Sequence, residues 1–161
     1  MGERLNTSLV VQIPEGHSPN LMQEDLPLPS PGSRQALVKL SHAAQNPTDD
    51  IDAFNPLRLH IVRKFLSFDA NTFGDGAVLG CDFVGELVEL GNDVRRIAKD
   101  QFPIVPIFED HPLTSLGILG DIEGLVAYTQ YTLASERLCF KVPKTLSREC
   151  ASTVPLAAAT A

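Results

Sequence analysis

The most constraining feature of the sequence is the segment from Val78 to Leu90, in which apolar residues alternate with acidic ones and two glycines interrupt the run. Alternation with a period of two is typical of a half-buried β-strand, because successive side chains point to opposite faces of a sheet. A glycine inside such a pattern marks a bend or the close approach of a second backbone. The segment therefore predicts two strand pieces joined at a bend.

Shorter apolar stretches predict further strands before and after this segment. They lie at Leu9 to Ile13, Ala36 to Leu40, Phe102 to Phe108, Leu125 to Leu133 and Leu138 to Val142. An irregular loop is predicted from Pro14 to Pro31 by the four prolines Pro19, Pro27, Pro29 and Pro31. Helical spacing of apolar residues predicts a short helix from Pro56 to Phe68. Many short strands separated by turns predict a mainly β fold, an irregular β-barrel with short helices.

A helix is predicted near the end of the sequence. Ser147 is suited to cap its start, and Glu149 places a negative charge in the first turn, where the helix dipole favours it. Pro155 is expected to interrupt the Ala-rich segment that follows. The apolar run reaches Ala161 without a polar closing cap, so we expect the helix to be unfinished at this point.

Charge and composition exclude several classes of protein. The formal charge of −7 comes from 13 basic and 20 acidic residues without a basic block, which disfavours a nucleic-acid or anionic-membrane partner. No apolar run approaches the roughly 20 residues that span a bilayer, and we expect a cytoplasmic protein. Cys81, Cys139 and Cys150 are odd in number and far apart, so we expect buried free thiols.

Five motifs occur in an order typical of one family. The segment Gly80–Gly91 resembles the G-x-D/E-x-x-G-x-V-x-x-x-G stretch of the medium-chain dehydrogenases/reductases. The other four motifs are Ala44–Asp49, Tyr128–Tyr131, Lys141–Pro143 and Ala151–Ala161. The resemblance implies a GroES-like β-barrel over residues 35–144, to which residues 1–34 add a strand and a Pro-rich loop. It also implies that residues 145–161 begin the helix toward a missing nucleotide-binding domain.

Within this family, the Asn46-Pro47 turn and the closing segment Val154–Ala161 are similar to those of fungal trans-acting enoyl reductases that serve highly reducing polyketide synthases. The resemblance implies hydride transfer from NADPH to the β-carbon of an α,β-unsaturated thioester. It also implies a partner, the acyl carrier domain of the polyketide synthase that holds this thioester. Two alternatives remain open: a zinc-free quinone oxidoreductase and a non-catalytic, truncated GroES-like domain.

The same resemblance implies which residues meet the cofactor. It places Thr48, Asp49, Asp50 and Ile51 beside the nicotinamide of NADPH. A turn stabilised by Asn and Asp side chains is the alternative, and the two interpretations are compatible. Related enzymes carry an aromatic residue and a lysine where this chain has Asp50 and Ile51, so proton donation is in doubt and no catalytic residue is assigned.

The resemblance also implies a segment that packs against the substrate. Its residues are Val154, Pro155, Leu156, Ala157, Ala158, Ala159, Thr160 and Ala161. Small side chains there allow an acyl chain or cofactor to approach closely, but an ordinary Ala-rich helix explains the composition equally well.

Metal and dinucleotide sites are not predicted. Zinc sites need three or four Cys, His or acidic ligands, and this chain offers only Cys81 followed by Asp82. The four histidines have no spacing typical of a triad, so none is given a role. Neither Gly74–Gly76 nor Gly117–Gly124 has the G-x-G-x-x-G form that follows a strand in a Rossmann domain, and we expect that domain to be absent.

Overall fold

Antiparallel strand pairs make up most of the fold. The computed structural model describes residues 4–45, 76, 78, 80, 82–99, 103–105 and 127–160. Within these residues, the elements in chain order are β1 (Leu5–Gln12), β2 (Asn20–Pro27), β3 (Gln35–Ala43), β4 (Phe83–Leu90), β5 (Pro103–Val105), β6 (Tyr131–Ser135), a 3-10 helix (Glu136–Leu138), β7 (Phe140–Lys141) and α1 (Arg148–Thr160). The predicted helix from Pro56 to Phe68 lies outside the described residues.

The strands form two sheets. β1 and β2 make a two-stranded ribbon, and the other five strands have the order β6-β3-β4-β5-β7. Two isolated bridges, Ser8 to Thr129 and Val10 to Val78, join β1 to segments near the larger sheet. All strand pairs among the described residues are antiparallel. The described part of the chain is therefore mainly β, as the sequence predicts, and contains no parallel βαβ unit.

The two glycines of the Val78–Leu90 segment have different roles. Gly80 has a φ of 93°, in the left-handed region, and a Cβ there would lie 2.7 Å from the Cβ of Ala127. It lies before β4, which begins at Phe83, so only the second of the two predicted strand pieces is a strand within the described residues. Gly85 lies opposite Leu40, and a Cβ there would collide with the carbonyl oxygen of Lys39 in β3. Gly85 thus allows β3 and β4 to approach each other closely.

The larger sheet is buried on both faces. One face carries a core of Ala36, Val38, Phe83, Leu87, Ala127, Ala134 and Cys139. On the other face, Val84 packs against Ala151 of α1, and both residues are fully buried. Because neighbouring strand residues point to opposite faces, Phe83 packs into the first core and Val84 packs against α1.

The prediction of an irregular loop from Pro14 to Pro31 is wrong, because β2 lies within it. Pro19 precedes β2 and Pro27 occupies its last position, opposite Leu5. A proline at a strand end removes no inner hydrogen bond of the ladder, so these prolines bound the strand instead of preventing it.

Some strand boundaries also differ from their predictions. β1 begins at Leu5, four residues before the predicted Leu9, and β6 begins at Tyr131 instead of Leu125. Polar residues explain the first difference. Asn6 and Ser8 of β1 are buried, so the inward face of this strand is not apolar and its periodicity is hidden.

A buried polar network holds β1 to the chain before β6. The Asn6 side chain accepts hydrogen bonds from the Tyr131 backbone N–H at 2.9 Å and from the Thr129 hydroxyl at 2.9 Å, and it donates to the Tyr131 carbonyl at 2.8 Å. The Ser8 and Thr129 hydroxyl oxygens are 2.7 Å apart. Each of these polar groups gains partners that offset the cost of its burial.

The helix α1 begins as predicted and continues further than predicted. The Cys150 backbone N–H donates to the Ser147 hydroxyl oxygen at 3.2 Å, which confirms Ser147 as the cap. Pro155 lies inside α1 and does not interrupt it. Since proline has no N–H, the Ala151 carbonyl loses its helical donor there, and the helix tolerates this loss.

The described cysteines differ from each other in their surroundings. Cys139 is buried, and its thiol donates to the Ser135 carbonyl at 3.3 Å. Burial raises the pKa of this thiol to about 12. Cys150 is exposed, so the expectation of a buried thiol is wrong at this position, whereas Cys81 lies outside the described residues. The exposure follows from its place in the first turn of α1, away from the Ala151 contact.

A buried carboxylate fixes the loop after β4. One oxygen of Glu136 accepts hydrogen bonds from the backbone N–H groups of Arg95 at 2.7 Å and Arg96 at 3.0 Å. The other oxygen lies 3.9 Å from Nε of Arg34. The side chain of Glu136 is only 5% exposed. The two backbone bonds lower the pKa of Glu136, because they stabilise its charged form.

Among the described residues, no helix is both long and apolar enough to cross a membrane.

We predict that Gly85→Ala lowers the free energy of unfolding by about 3 kcal/mol, because the added methyl group overpacks the β3–β4 contact. Gly16→Ala is the matched control, since Gly16 has a φ of 75° but no atom within 4 Å of the added methyl group. The control should cost about 1 kcal/mol, from backbone strain alone. Urea denaturation measures both values, and equal costs would contradict the close approach at Gly85.

We predict that Glu136→Gln makes stability less dependent on pH in acid. The folded-state pKa of Glu136 lies below its ordinary value of 4.5, so its contribution is complete above pH 4.5 and is lost as pH falls through the lowered pKa. The variant should be less stable near neutral pH, and its free energy of unfolding should fall less steeply below pH 4.5. Denaturation across this range measures both effects.

Glu15→Gln removes the same charge from an exposed residue of the β1–β2 connection and serves as the control. If it flattens the acid dependence as much as Glu136→Gln does, the assignment to the buried carboxylate is wrong.

Candidate functional site

The end of β3, the start of β4 and the start of α1 meet at one corner of the larger sheet. The Ala44 backbone N–H donates to the Asp82 carbonyl at 2.9 Å, which joins the two strand ends. Ala151 of α1 covers Val84 from the second face of the sheet. We call the residues His42, Ala44, Asp82, Val84 and Ala151 the β3–α1 corner.

His42 connects β3 with the first turn of α1. Its Nε2 lies 3.5 Å from a carboxylate oxygen of Glu149, and its Nδ1 lies 3.2 Å from the Ser41 hydroxyl oxygen. The Ser41 hydroxyl donates to the Val84 carbonyl at 3.0 Å. Since that proton is committed, the Ser41 oxygen accepts from Nδ1, while Nε2 faces a carboxylate.

The sequence gives His42 no role because its partner is 107 residues away along the chain. The available signal was local and weak: a histidine near the end of a predicted strand and an acidic residue in the first turn of a predicted helix. A histidine of this kind holds α1 in place and is not by itself a catalyst.

Glu149 occupies the N-terminus of α1. Its own backbone N–H, the Ser147 hydroxyl and then His42 lower the pKa of Glu149. A helix N-terminus attracts anions, but here a carboxylate already lies there. The start of α1 is therefore unsuited to a second anion such as a diphosphate group.

Asp82 is a second acidic residue of the corner. It is fully buried immediately before β4. The described residues contain no group of three His, Cys, Asp or Glu side chains that could hold a metal ion. Cys81 lies outside them, so the absence of zinc stays a prediction.

The predicted cofactor residues Thr48, Asp49, Asp50 and Ile51 lie outside the described residues. β3 ends at Ala43, and the chain then passes through the β3–α1 corner at Ala44, from where it leads toward these residues. Three residues separate Ala44 from Thr48 in the sequence. The two interpretations of this turn, a cofactor contact and an Asn- and Asp-stabilised turn, both stay open.

The predicted substrate segment lies largely on α1. Val154 is 39% exposed and Pro155 is buried. The helix continues from Leu156 to Thr160, but the side chains of these residues are not described. Ala161 lies outside the described residues. The structure thus places the start of α1 beside the end of β3, which brings together the elements that lead into both predicted segments.

Comparison with protein-family models identifies the architecture. Residues 32–144 match the alcohol dehydrogenase GroES-like domain. This match covers well over half of the chain.

Several relatives share this similarity. A trans-enoyl reductase of Gibberella fujikuroi is 35% identical over 86 residues, 53% of this chain and 22% of its own length. A trans-enoyl reductase of Trichoderma harzianum is 30% identical over 159 residues, 96% of this chain and 36% of its own length. The chloroplastic quinone oxidoreductase QR1 of Triphysaria versicolor is 29% identical over 146 residues, 91% of this chain and 37% of its own length.

The fold has a counterpart among solved structures. The quinone oxidoreductase of Coxiella burnetii matches with a TM-score of 0.65 and 24% identity, over 94% of this chain and 42% of that one. The matched regions thus span between about a fifth and two fifths of the lengths of these proteins. The family match, the antiparallel sheet and the ordered motifs agree, and the chain belongs to the alcohol dehydrogenase GroES-like domain family of the medium-chain dehydrogenases/reductases.

Proposed function

We propose that this chain supplies the substrate-side domain of an NADPH-dependent enoyl reductase. The substrate would be an α,β-unsaturated thioester on the acyl carrier domain of a polyketide synthase. This proposal rests on the packing of α1 against the end of β3. The strand that leads to Thr48–Ile51 thereby lies beside the start of the helix that leads to Val154–Ala161. The trans-enoyl reductases among the relatives support this choice of acceptor.

The reaction needs a hydride at the β-carbon and a proton at the α-carbon. NADPH would supply the hydride, with its electron pair, and the thioester carbonyl would accept the displaced π electrons as an enolate. This chain would orient the two reactants through the segments beside the corner. The buried residues Val84 and Ala151 give those segments a fixed base from which water is excluded.

The described residues do not suit the diphosphate of the cofactor. The N-terminus of α1 already holds the carboxylate of Glu149, and the chain has a net charge of −7. A diphosphate needs free backbone N–H groups at a helix N-terminus or basic side chains close by. We therefore propose that this chain contacts only the nicotinamide end, and that residues elsewhere hold the diphosphate.

The expected organisation forms part of this proposal. We propose residues 35–144 as the barrel, 1–34 as its N-terminal addition, and 145–161 as the start of a helix toward a nucleotide-binding domain. The whole enzyme would work in the cytoplasm. No nucleic acid or membrane takes part.

A quinone reductase is the rival function, and it rests on the similarity to the quinone oxidoreductase of Triphysaria versicolor. That relative matches at nearly the same identity and coverage as the enoyl reductase of Trichoderma harzianum. The closing Val154–Ala161 segment favours the enoyl reductases through its resemblance to them. A GroES-like domain without activity of its own is the remaining alternative.

We predict weak NADPH binding by this chain alone, with a Kd above about 1 mM, or about −4 kcal/mol. The reason is the occupied helix N-terminus together with the unfavourable net charge. Isothermal titration calorimetry with NADPH measures this affinity. Binding near 1 μM would show that this chain holds the diphosphate. It would contradict the proposal that the chain contacts only the nicotinamide end of the cofactor.

Reduction assays at millimolar NADPH test the choice of acceptor. A crotonyl thioester of pantetheine is compared with duroquinone, whose substituted ring does not alkylate the thiols. We expect saturated butyryl thioester, detected by mass, above the protein-free background, and no gain with the quinone. Turnover of the quinone alone would favour the rival function, and turnover of neither would favour a non-catalytic domain.

A further inference from the structure

A cavity of about 330 Å³ lies at the end of β1, and we call it the β1 cavity. It is lined by Val10 to Pro14, by Glu24 of β2 and by Gly76. Val10 and Val11 are almost fully buried and Pro14 is exposed, so the cavity extends from the edge of the core to the surface. None of its lining residues belongs to the β3–α1 corner or to a predicted cofactor or substrate segment.

Backbone hydrogen bonds hold the segments that border the β1 cavity. The Gly76 backbone N–H donates to the Val11 carbonyl at 2.8 Å, which fixes Gly76 beside β1. Val11 and Gln12 also pair with Leu21 and Asn20 of β2. A Cβ built on Gly76 would meet no atom within 4 Å, so the space beside this residue is open. The β1 cavity is therefore largely formed before any ligand enters it, as is usual for small-molecule sites.

Glu24 is the charged side chain of the β1 cavity. It is half-buried, and one of its carboxylate oxygens accepts a hydrogen bond from Nε2 of Gln12 at 2.9 Å. The ion pairs among the described residues do not include Glu24, and residues 5–33 contain no Lys or Arg. A carboxylate beside apolar groups loses part of its hydration, and a cationic donor replaces that loss best. The β1 cavity thus presents a negative charge that no cation of the described chain balances.

The donors and acceptors of the β1 cavity suit an ammonium group. An ammonium group has three N–H donors and no acceptor. The second oxygen of Glu24 can accept one of these bonds, and the amide oxygen of Gln12 can accept another, since its amide nitrogen already donates to Glu24. Two oxygen-bearing side chains are too few for a calcium ion, which takes roughly six to eight oxygen ligands.

We propose that the β1 cavity binds a small organic ammonium ion. Its nitrogen would lie at Glu24 and Gln12, and its carbon chain would pack against Val10, Ile13 and Pro14. The volume of the cavity corresponds to roughly ten water molecules, which suits an amine with a chain of a few carbon atoms. A free alkylamine and the lysine side chain of a partner protein share this chemistry. This site goes beyond the proposed reductase function and does not depend on it.

The test titrates the ¹⁵N-labelled chain with n-butylammonium chloride at constant ionic strength and follows the backbone amide signals by NMR. We expect saturable shifts at residues 10–13, 24 and 76, with a Kd in the millimolar range. Glu24→Gln keeps an acceptor for Gln12 but removes the charge, so it should weaken binding about tenfold. Asp25→Asn is the matched control. Asp25 accepts from the Thr7 hydroxyl on the opposite face of β2, and its substitution should leave binding nearly unchanged.

Ligands of similar size separate charge from shape in the unaltered chain, so this comparison does not depend on the folding of a variant. 1-Butanol and butyrate carry the same carbon chain without a positive charge, and each should bind at least about tenfold more weakly than n-butylammonium. Equal binding of either ligand, shifts that do not saturate, or equal weakening by Asp25→Asn would overturn the proposal.

A further ligand distinguishes the two sources of the ammonium group. Nα-acetyl-lysine N-methylamide presents the same ammonium group on a peptide backbone. Binding as tight as that of n-butylammonium would support a lysine side chain of a partner protein as the natural occupant. Weaker binding would support a free amine.

Discussion

The pairing of β3 with β4 is the interaction on which the rest of the structure depends. These two strands occupy the middle of the larger sheet, with a buried core on one face and α1 on the other. The pairing is irregular, with register shifts near Leu37 and Leu40, and the bare backbone of Gly85 allows the close approach beside the second shift. The corner that carries the predicted site lies at one end of this pair, and the Glu136 loop lies at the other.

Local signals in the sequence predicted the parts of the fold that depend on neighbouring residues. The strands β3 and β4 and the Ser147 cap are each readable within a few positions, and the structure confirms them. β2 escaped prediction because its prolines were interpreted as breakers, although the first precedes the strand and the second ends it. The start of β1 escaped because Asn6 is buried by partners more than a hundred residues away.

The candidate site could likewise be predicted only in part from the sequence. The motifs at Ala44–Asp49 and Ala151–Ala161 are visible in sequence, but no local pattern shows that β3 and α1 meet. His42 and Glu149 supply that connection, and each is an ordinary polar residue when considered alone. The place of Glu149 in the first turn of α1 could be predicted from the sequence, but its contact with His42 needs the folded geometry.

The contrast between the two described cysteines has a consequence for chemical labelling. Thiol reagents attack the thiolate, and a thiol with a pKa of about 12 carries almost none near neutral pH. Cys139 is thereby protected by both burial and protonation, whereas Cys150 is exposed in the first turn of α1. Under native conditions, a thiol-reactive spectroscopic probe would therefore react with Cys150 in preference to Cys139. It would report from the helix that borders the β3–α1 corner, one residue from the Glu149 contact with β3.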